Sequence, residues 1–214
     1  MASNTDLSLR HQVIYSVFVR GHTKEGTFRA LEGDLDRLKG LGTDILWLMP
    51  IHPIGEEGRK GTMGSPYAIR DYRGINPEYG TMEDFRHLVD AIHERGMKCI
   101  IDVVYNHTSG KPDADDPLGR IDGGKRSFFN WWQKGESCTP WGAKPNFANQ
   151  SVKDFYSDNA VQQVAEFGFD GIRFDFTQVL HSTGNSAEQI EGMNTLRQIN
   201  RSLRLIKPDV YTVA

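Results

Sequence analysis

Cysteine is scarce in this sequence. The 214 residues contain two, Cys99 and Cys138, far apart and in no C-x-x-C spacing. That excludes a disulfide-stapled scaffold and argues against a zinc or thioredoxin-like motif, so both are expected to be reduced thiols. Long apolar runs are missing as well: none approaches the roughly 18 residues that suggest a membrane span. The start, MASNTDLSLRHQ, is polar and lacks the apolar segment of a secretory leader. Taken as it stands, the chain is expected in the cytoplasm; an exported protein would need a leader ahead of Met1. Neither sign of charge dominates. Lys and Arg number 25 against 28 Asp and Glu, a net charge of -3. There is no basic footprint for nucleic acid and no polybasic stretch for a membrane surface. No organic cofactor is expected, and the composition points to a neutral or small substrate.

What is present is the make-up of an ordinary globular domain, 38% hydrophobic and 25% charged. Short β-branched and aromatic runs alternate with amphipathic helical stretches, the pattern of parallel strands joined by helical crossovers. The first strand is expected at 13–19 and the helix after it at 29–40, where Leu31, Leu35, Leu38 and Leu41 recur at helical spacing. A second strand at 45–49 stops at Pro50. A Gly- and Pro-rich loop of some thirty residues leads to a helix capped by Thr81, with Glu83 and Asp84 in its first turn, and ended by Gly96. The run MKCIIDVVY, 97–105, is apolar enough for a strand covered on both faces, with Asp102 interrupting it. The helical pattern resumes at 152–167, followed by a strand at 171–176, a helix around 187–205 and a fifth strand from Val210.

Residues 108–150 break that rhythm. They are rich in Gly, Pro and Asp and carry Phe128, Phe129, Trp131, Trp132 and Trp141 without periodicity. Irregular segments of this length in a compact domain are usually functional; this one is expected to be a small insertion on the catalytic face. Asp113, Asp115 and Asp116 within it read as a solvated acidic loop, because the EF-hand pattern is absent. The organisation is therefore βα units at 1–107, an insertion at 108–150, and further βα units at 151–214. The sequons at Asn106, Asn149 and Asn200 are discounted for want of any sign of secretion.

In parallel α/β folds the working residues lie at the C-terminal ends of strands. DVVYNH brings Asp102, Asn106 and His107 to one rim, and GIRFD brings Arg173 and Asp175 to the same rim. Period-two alternation aims Arg173 and Asp175 the same way. A guanidinium beside a carboxylate keeps the acid ionised and fixes its rotamer, as a nucleophile requires. Each residue also has a plainer reading: Arg173 and Asp175 as an ion pair that specifies packing, Asp102 as a satisfied core acid, His107 as a loop-end histidine.

Taken together, DVVYNH and GFDGIRFDF resemble the first and second conserved regions of the α-amylase superfamily, glycoside hydrolase family thirteen, in the right order. GSPYAIRDY is similar to that family's motif after the second strand. The resemblance spans almost the whole chain and implies a partial (β/α)8 TIM barrel, an α/β fold of about four and a half βα units with a short insertion after the third strand. It further implies that Asp175 attacks the anomeric carbon and that Arg173 orients it. His107 and Tyr67 would contact the sugar, Asp102 would support Arg173 within the substrate site, and Asn106 would bind a calcium ion.

The sequence departs from the family's pattern in three places. Gln178 and Val179 stand where many amylases carry a lysine and a histidine toward the reducing-side sugars. In KPNFAN, Asn146 replaces a frequent aspartate calcium ligand, which weakens a site whose affinity tracks ligand charge. The chain also finishes at Tyr211-Thr212-Val213-Ala214, residues that resemble those just before the family's acid/base glutamate. The resemblance thus implies a retaining enzyme acting on starch, glycogen or maltooligosaccharides, either hydrolase or glucanotransferase, whose proton donor lies beyond Ala214. This chain by itself is then expected to be inactive. A non-catalytic carbohydrate-binding protein on a degenerate barrel is the alternative. Self-association through the unpaired fifth strand is expected.

Overall fold

The alternating pattern folds into an all-parallel sheet of five strands in chain order. The structure is a computed structural model and describes residues 7–56, 59–109, 145, 147–178, 180 and 186–214. Strands β1 (Ile14–Val17), β2 (Ile45–Leu48), β3 (Lys98–Val103), β4 (Gly171–Phe174) and β5 (Tyr211–Val213) each pair with the next. A short 3-10 helix, Leu7–His11, precedes them. The helices are α1 (Val19–His22), α2 (Phe28–Glu32), α3 (Leu35–Gly40), α4 (Met82–Glu94), α5 (Gln150–Ala165) and α6 (Ser186–Ile206). Strands paired in chain order without reversal, joined by crossovers of the usual hand, keep the helices on one face, as in the wall of a barrel; a doubly wound sheet would reverse.

The two faces of the sheet differ because side chains alternate. Leu46, Leu48, Cys99, Ile101, Val103, Ile172 and Phe174 join the core with Leu31, Leu35, Leu38, Phe85, Leu88, Ile92, Phe155, Tyr156, Ile199 and Leu203 from the helices. The other set, Trp47, Ile100, Asp102, Gly171 and Arg173, forms the opposite face in register across β2 to β4. Cys99 is a buried free thiol, as expected. Gly171 is required by the close pairing of β4 and β5: a Cβ there would lie 2.3 Å from the Tyr211 carbonyl oxygen.

Several boundaries differ from the sequence pattern. The expected helix at 29–40 is two helices, α2 and α3. Gly33 closes the first, and the Asp34 carboxylate is drawn to His22 Nε2 and Arg37 Nε, both at 2.7 Å. The first strand ends at Val17, because the chain turns into α1 at Val19. The fourth strand ends at Phe174, and Phe176 adopts a positive φ of 45°. Helix α4 begins as the sequence indicates. Thr81 Oγ1 accepts from Asp84 N and Thr81 N donates to Asp84 Oδ2 at 2.9 Å, a reciprocal capping box. Gly96, at φ 66°, follows its end. The expected insertion falls largely on residues 110–144 and 146, outside the described residues.

At the N-terminal end of the sheet, Asp170 gathers α4, β3 and the connection into β5. It accepts from His93 Nε2 at 2.8 Å, Cys99 N at 2.9 Å, and the amines of Lys98 and Lys207 at 3.3 Å each. Burial raises its acid range, but the Cys99 N–H, His93 and Lys98 outweigh that and hold it below the usual value.

Candidate active site

The opposite end of the same strands collects the residues singled out from the sequence. Asp102 and Arg173 are register partners on β3 and β4, so their side chains emerge side by side on the face not covered by helices. Asp175 follows β4 directly, and its N–H extends the ladder by donating to Val103 O at 2.9 Å. Arg173 Nη1 donates to both oxygens of Asp102, at 3.0 and 3.2 Å, and to Asp175 Oδ1 at 2.6 Å. One nitrogen thus joins two carboxylates. Tyr67 reaches in from the loop after β2 and donates to Asp102 Oδ2 at 3.0 Å.

The stretch after β3 is held from beneath by a buried polar network. Tyr72 Oη donates to the Val104 and His107 carbonyls at 2.7 and 3.0 Å, Tyr105 Oη donates to Asn159 Oδ1 at 2.8 Å, and Asn159 Nδ2 donates to Tyr72 O at 2.8 Å. This network fixes Asn106 and His107 toward Asp175. Asn106 Nδ2 lies 2.8 Å from the Asp175 carbonyl and 3.3 Å from Asp175 Oδ2, while its Oδ1 is 2.6 Å from His107 Nδ1.

Burial sets the electrostatics. Asp102, wholly buried, is pushed up to about 6 by desolvation against the opposing pull of Arg173 and Tyr67. Burial lowers His107 to about 4, with the Asp175 charge opposing, so its imidazole is neutral at pH 7. The Tyr67 hydroxyl is raised by burial and by Asp102, and it stays protonated as a donor. Arg173 loses proton affinity to burial but gains more from Asp102 and Asp175, which leaves it firmly charged.

Asp102 has the acid range of a proton donor but not the position. Both its oxygens are engaged by Arg173 and Tyr67, and the guanidinium fills the space between it and Asp175. It serves as a counter-charge.

Gln178 stands exposed three residues beyond Asp175. Asn146 lies outside the described residues. Asn106, expected as a calcium ligand, is fully buried, with its amide oxygen 2.6 Å from His107 Nδ1 and its nitrogen against Asp175. No group of three or more His, Cys, Asp or Glu suited to a metal occurs among the described residues. Residues 110–144 and 146, which include the other expected ligand, lie outside the described residues, and no step below passes through a calcium ion. Two participants escaped the sequence reading, Trp47, whose ring lies 5.2 Å from Arg173 Cζ, and the anchoring Tyr72. The available signal for Trp47 was a large aromatic at an alternate position of ILWL, in phase with the uncovered face.

Comparison with known proteins identifies the family. The family model for the alpha amylase catalytic domain matches residues 12–171. The chain belongs to the α-amylase family. It is 30% identical to alpha-amylase 3 of Dictyoglomus thermophilum, over 95% of this chain and 43% of that protein. It is 32% identical to a trehalose synthase of Pimelobacter, over 94% and 40% respectively. Among solved structures, an alpha-amylase from Lactobacillus plantarum superposes with a TM-score of 0.78 at 37% identity, over 96% of this chain and 44% of that one. The chain therefore spans less than half the length of these relatives, and its parallel sheet corresponds to part of an α-amylase barrel. Among the described residues, no helix is long and apolar enough to cross a membrane.

Proposed function

We propose that this chain supplies the nucleophile side of a retaining active site for α-glucans, with α-1,4-linked maltooligosaccharides as the substrate class. The observation that carries the proposal is the single Arg173 nitrogen bridging Asp102 and Asp175 at the strand ends. Asp175 attacks the anomeric carbon as the bond to the leaving oxygen breaks, giving a covalent glycosyl ester. Water or an acceptor sugar then displaces Asp175, and two inversions give net retention. Arg173 holds Asp175 by Oδ1 and turns the carboxylate to the sugar. Neutral His107 stands beside the carboxylate as a contact for the sugar without competing for its charge, and Tyr67 lies beside the same group as a platform for a sugar ring.

Retaining chemistry needs a second carboxyl about 5 to 5.5 Å from the nucleophile as acid and base. Asp102 is unsuited to that role, and by family resemblance a glutamate from outside these residues fills it. The relatives include both an amylase and a trehalose synthase, so the fate of the glycosyl group, hydrolysis or transfer, is decided by the acceptor side.

A fluorinated α-glucosyl fluoride tests the proposal, since fluoride leaves without protonation and the covalent ester accumulates. Intact-mass analysis should show one glycosyl adduct, mapped to Asp175 and absent in Asp175→Asn. Sugar binding without any adduct, unchanged in Asp175→Asn, would instead support a carbohydrate-binding protein.

A further inference from the structure

The proposed chemistry leaves Trp47 without a part, although it is set close to the reacting group. It lies on the face of the sheet opposite the helical core, in register with Ile100 of β3. The Arg173 guanidinium carbon stands over its ring at 5.2 Å, inside the range of an effective cation–π contact. Its indole Nε1 is buried with no acceptor among the described residues. A buried donor left unpaired costs stability, so packing alone would favour a residue without that N–H.

The way Arg173 is bound suggests what the ring does. Every hydrogen bond it makes among the described residues leaves from Nη1, to Asp102 and to Asp175. A planar group held at one corner can still pivot about that corner. An aromatic face removes this freedom, because guanidinium stacks on rings in a defined plane.

We propose that Trp47 is a positioning residue whose indole face fixes the plane of the Arg173 guanidinium, and through it which oxygen of Asp175 is held and which attacks. Arg173 takes Asp175 Oδ1 at 2.6 Å, while among the described residues Oδ2 has only the 3.3 Å contact with Asn106. The attacking oxygen is then Oδ2. Trp47 touches neither carboxylate in this scheme and acts only through Arg173.

The test compares Trp47→Phe, which keeps a ring face and removes the N–H, with Trp47→Leu, which removes the face. The first readout is the carboxyl carbon titration of Asp102 by NMR, since Asp102 is faced by Arg173, Tyr67 and Asp175 and reports how firmly the guanidinium is held. Loosened, Arg173 stabilises the Asp102 charge less, so Trp47→Leu should raise the proton affinity of Asp102 by roughly tenfold, one unit of pH, and Trp47→Phe should restore most of it. A role in excluding water alone predicts the opposite sign, because admitting water eases the charged form. A fall, or no change, in Trp47→Leu overturns the proposal. Should the leucine variant not fold, Trp47→Met gives the same comparison.

The second readout is the rate of labelling of Asp175 by the fluorinated glycosyl fluoride, expected to drop at least about tenfold in Trp47→Leu and to recover in Trp47→Phe. This arm rests on Asp175 being the nucleophile. If the unaltered protein is not labelled, that reading fails by itself, and the titration still decides the role of Trp47.

Discussion

Two buried groups in the site should push stability in opposite directions with pH, and removing either should unmask the other. Asp102 is raised from an ordinary 3.8 to about 6. The folded protein keeps a proton that the unfolded chain has lost, so the Asp102 contribution is complete below 3.8 and lost as pH rises through about 6. His107 is lowered from 6.5 to about 4. Its contribution is complete above 6.5 and lost as pH falls through about 4. Each span is a little over two pH units, or about 3 kcal/mol, and both residues are buried enough for that conversion, at 0% and 5% exposure. In the unaltered protein the slopes cancel between about pH 4 and 6, since folding takes up one proton at Asp102 and releases one at His107. Neither group is among the charges acting on the other, so the two effects should add. Measured by urea denaturation from about pH 4 to 7, His107→Asn should lose about 3 kcal/mol relative to wild type, Asp102→Asn should gain about as much, and the double variant should run parallel to wild type. Surface acids such as Asp34 and Asp84 titrate alike in all four proteins and drop out of the differences. Single variants whose curves stay parallel to wild type would refute the reasoning.

Three further outcomes follow from the fold. Gly171→Ala should lower the unfolding free energy by about 2 to 4 kcal/mol, because the new methyl meets the Tyr211 carbonyl on the adjoining strand; an unchanged urea midpoint would contradict that close pairing. Thr81→Ala breaks the capping box of α4 and should cost about 1 kcal/mol, with faster amide exchange confined to the first turn of that helix. Light scattering of the protein at micromolar concentration should show associated species. Ile14 on β1 and Val213 on β5 are 46% and 39% exposed on strands that each have one sheet neighbour among the described residues, and a monodisperse monomer would argue against association through these edges.

Much of the fold was legible because hydrophobic periodicity records which face of an element is covered. Strand β3 and helix α4 stood out by an uninterrupted apolar run and by Thr81 with Asp84. Less visible were features set by tertiary contacts. Asp34 divides one leucine-spaced stretch into two helices by engaging His22 and Arg37, and a regular pattern gives no sign of that. The pairing of Arg173 with Asp175 follows from spacing alone. Their sharing of one nitrogen with Asp102 depends on the register of β3 against β4, which sequence spacing does not specify. The contact of the Asn106 amide nitrogen with Asp175 likewise depends on how the segment after β3 packs against the end of β4.

Strand β4 has an aspartate at each end, and counting lone pairs shows why only one of them suits a reaction. A carboxylate offers about four acceptor sites. Asp170 fills them all: Oδ1 takes Lys98 and Lys207, and Oδ2 takes His93 and the Cys99 amide. Asp175 takes one donor on Oδ1 and one long contact on Oδ2 among the described residues, which leaves acceptor sites unassigned. A carboxylate with every acceptor site occupied is a fastener, whereas one held at a single oxygen keeps valence for an electrophile. Five positions along one chain separate the two conditions.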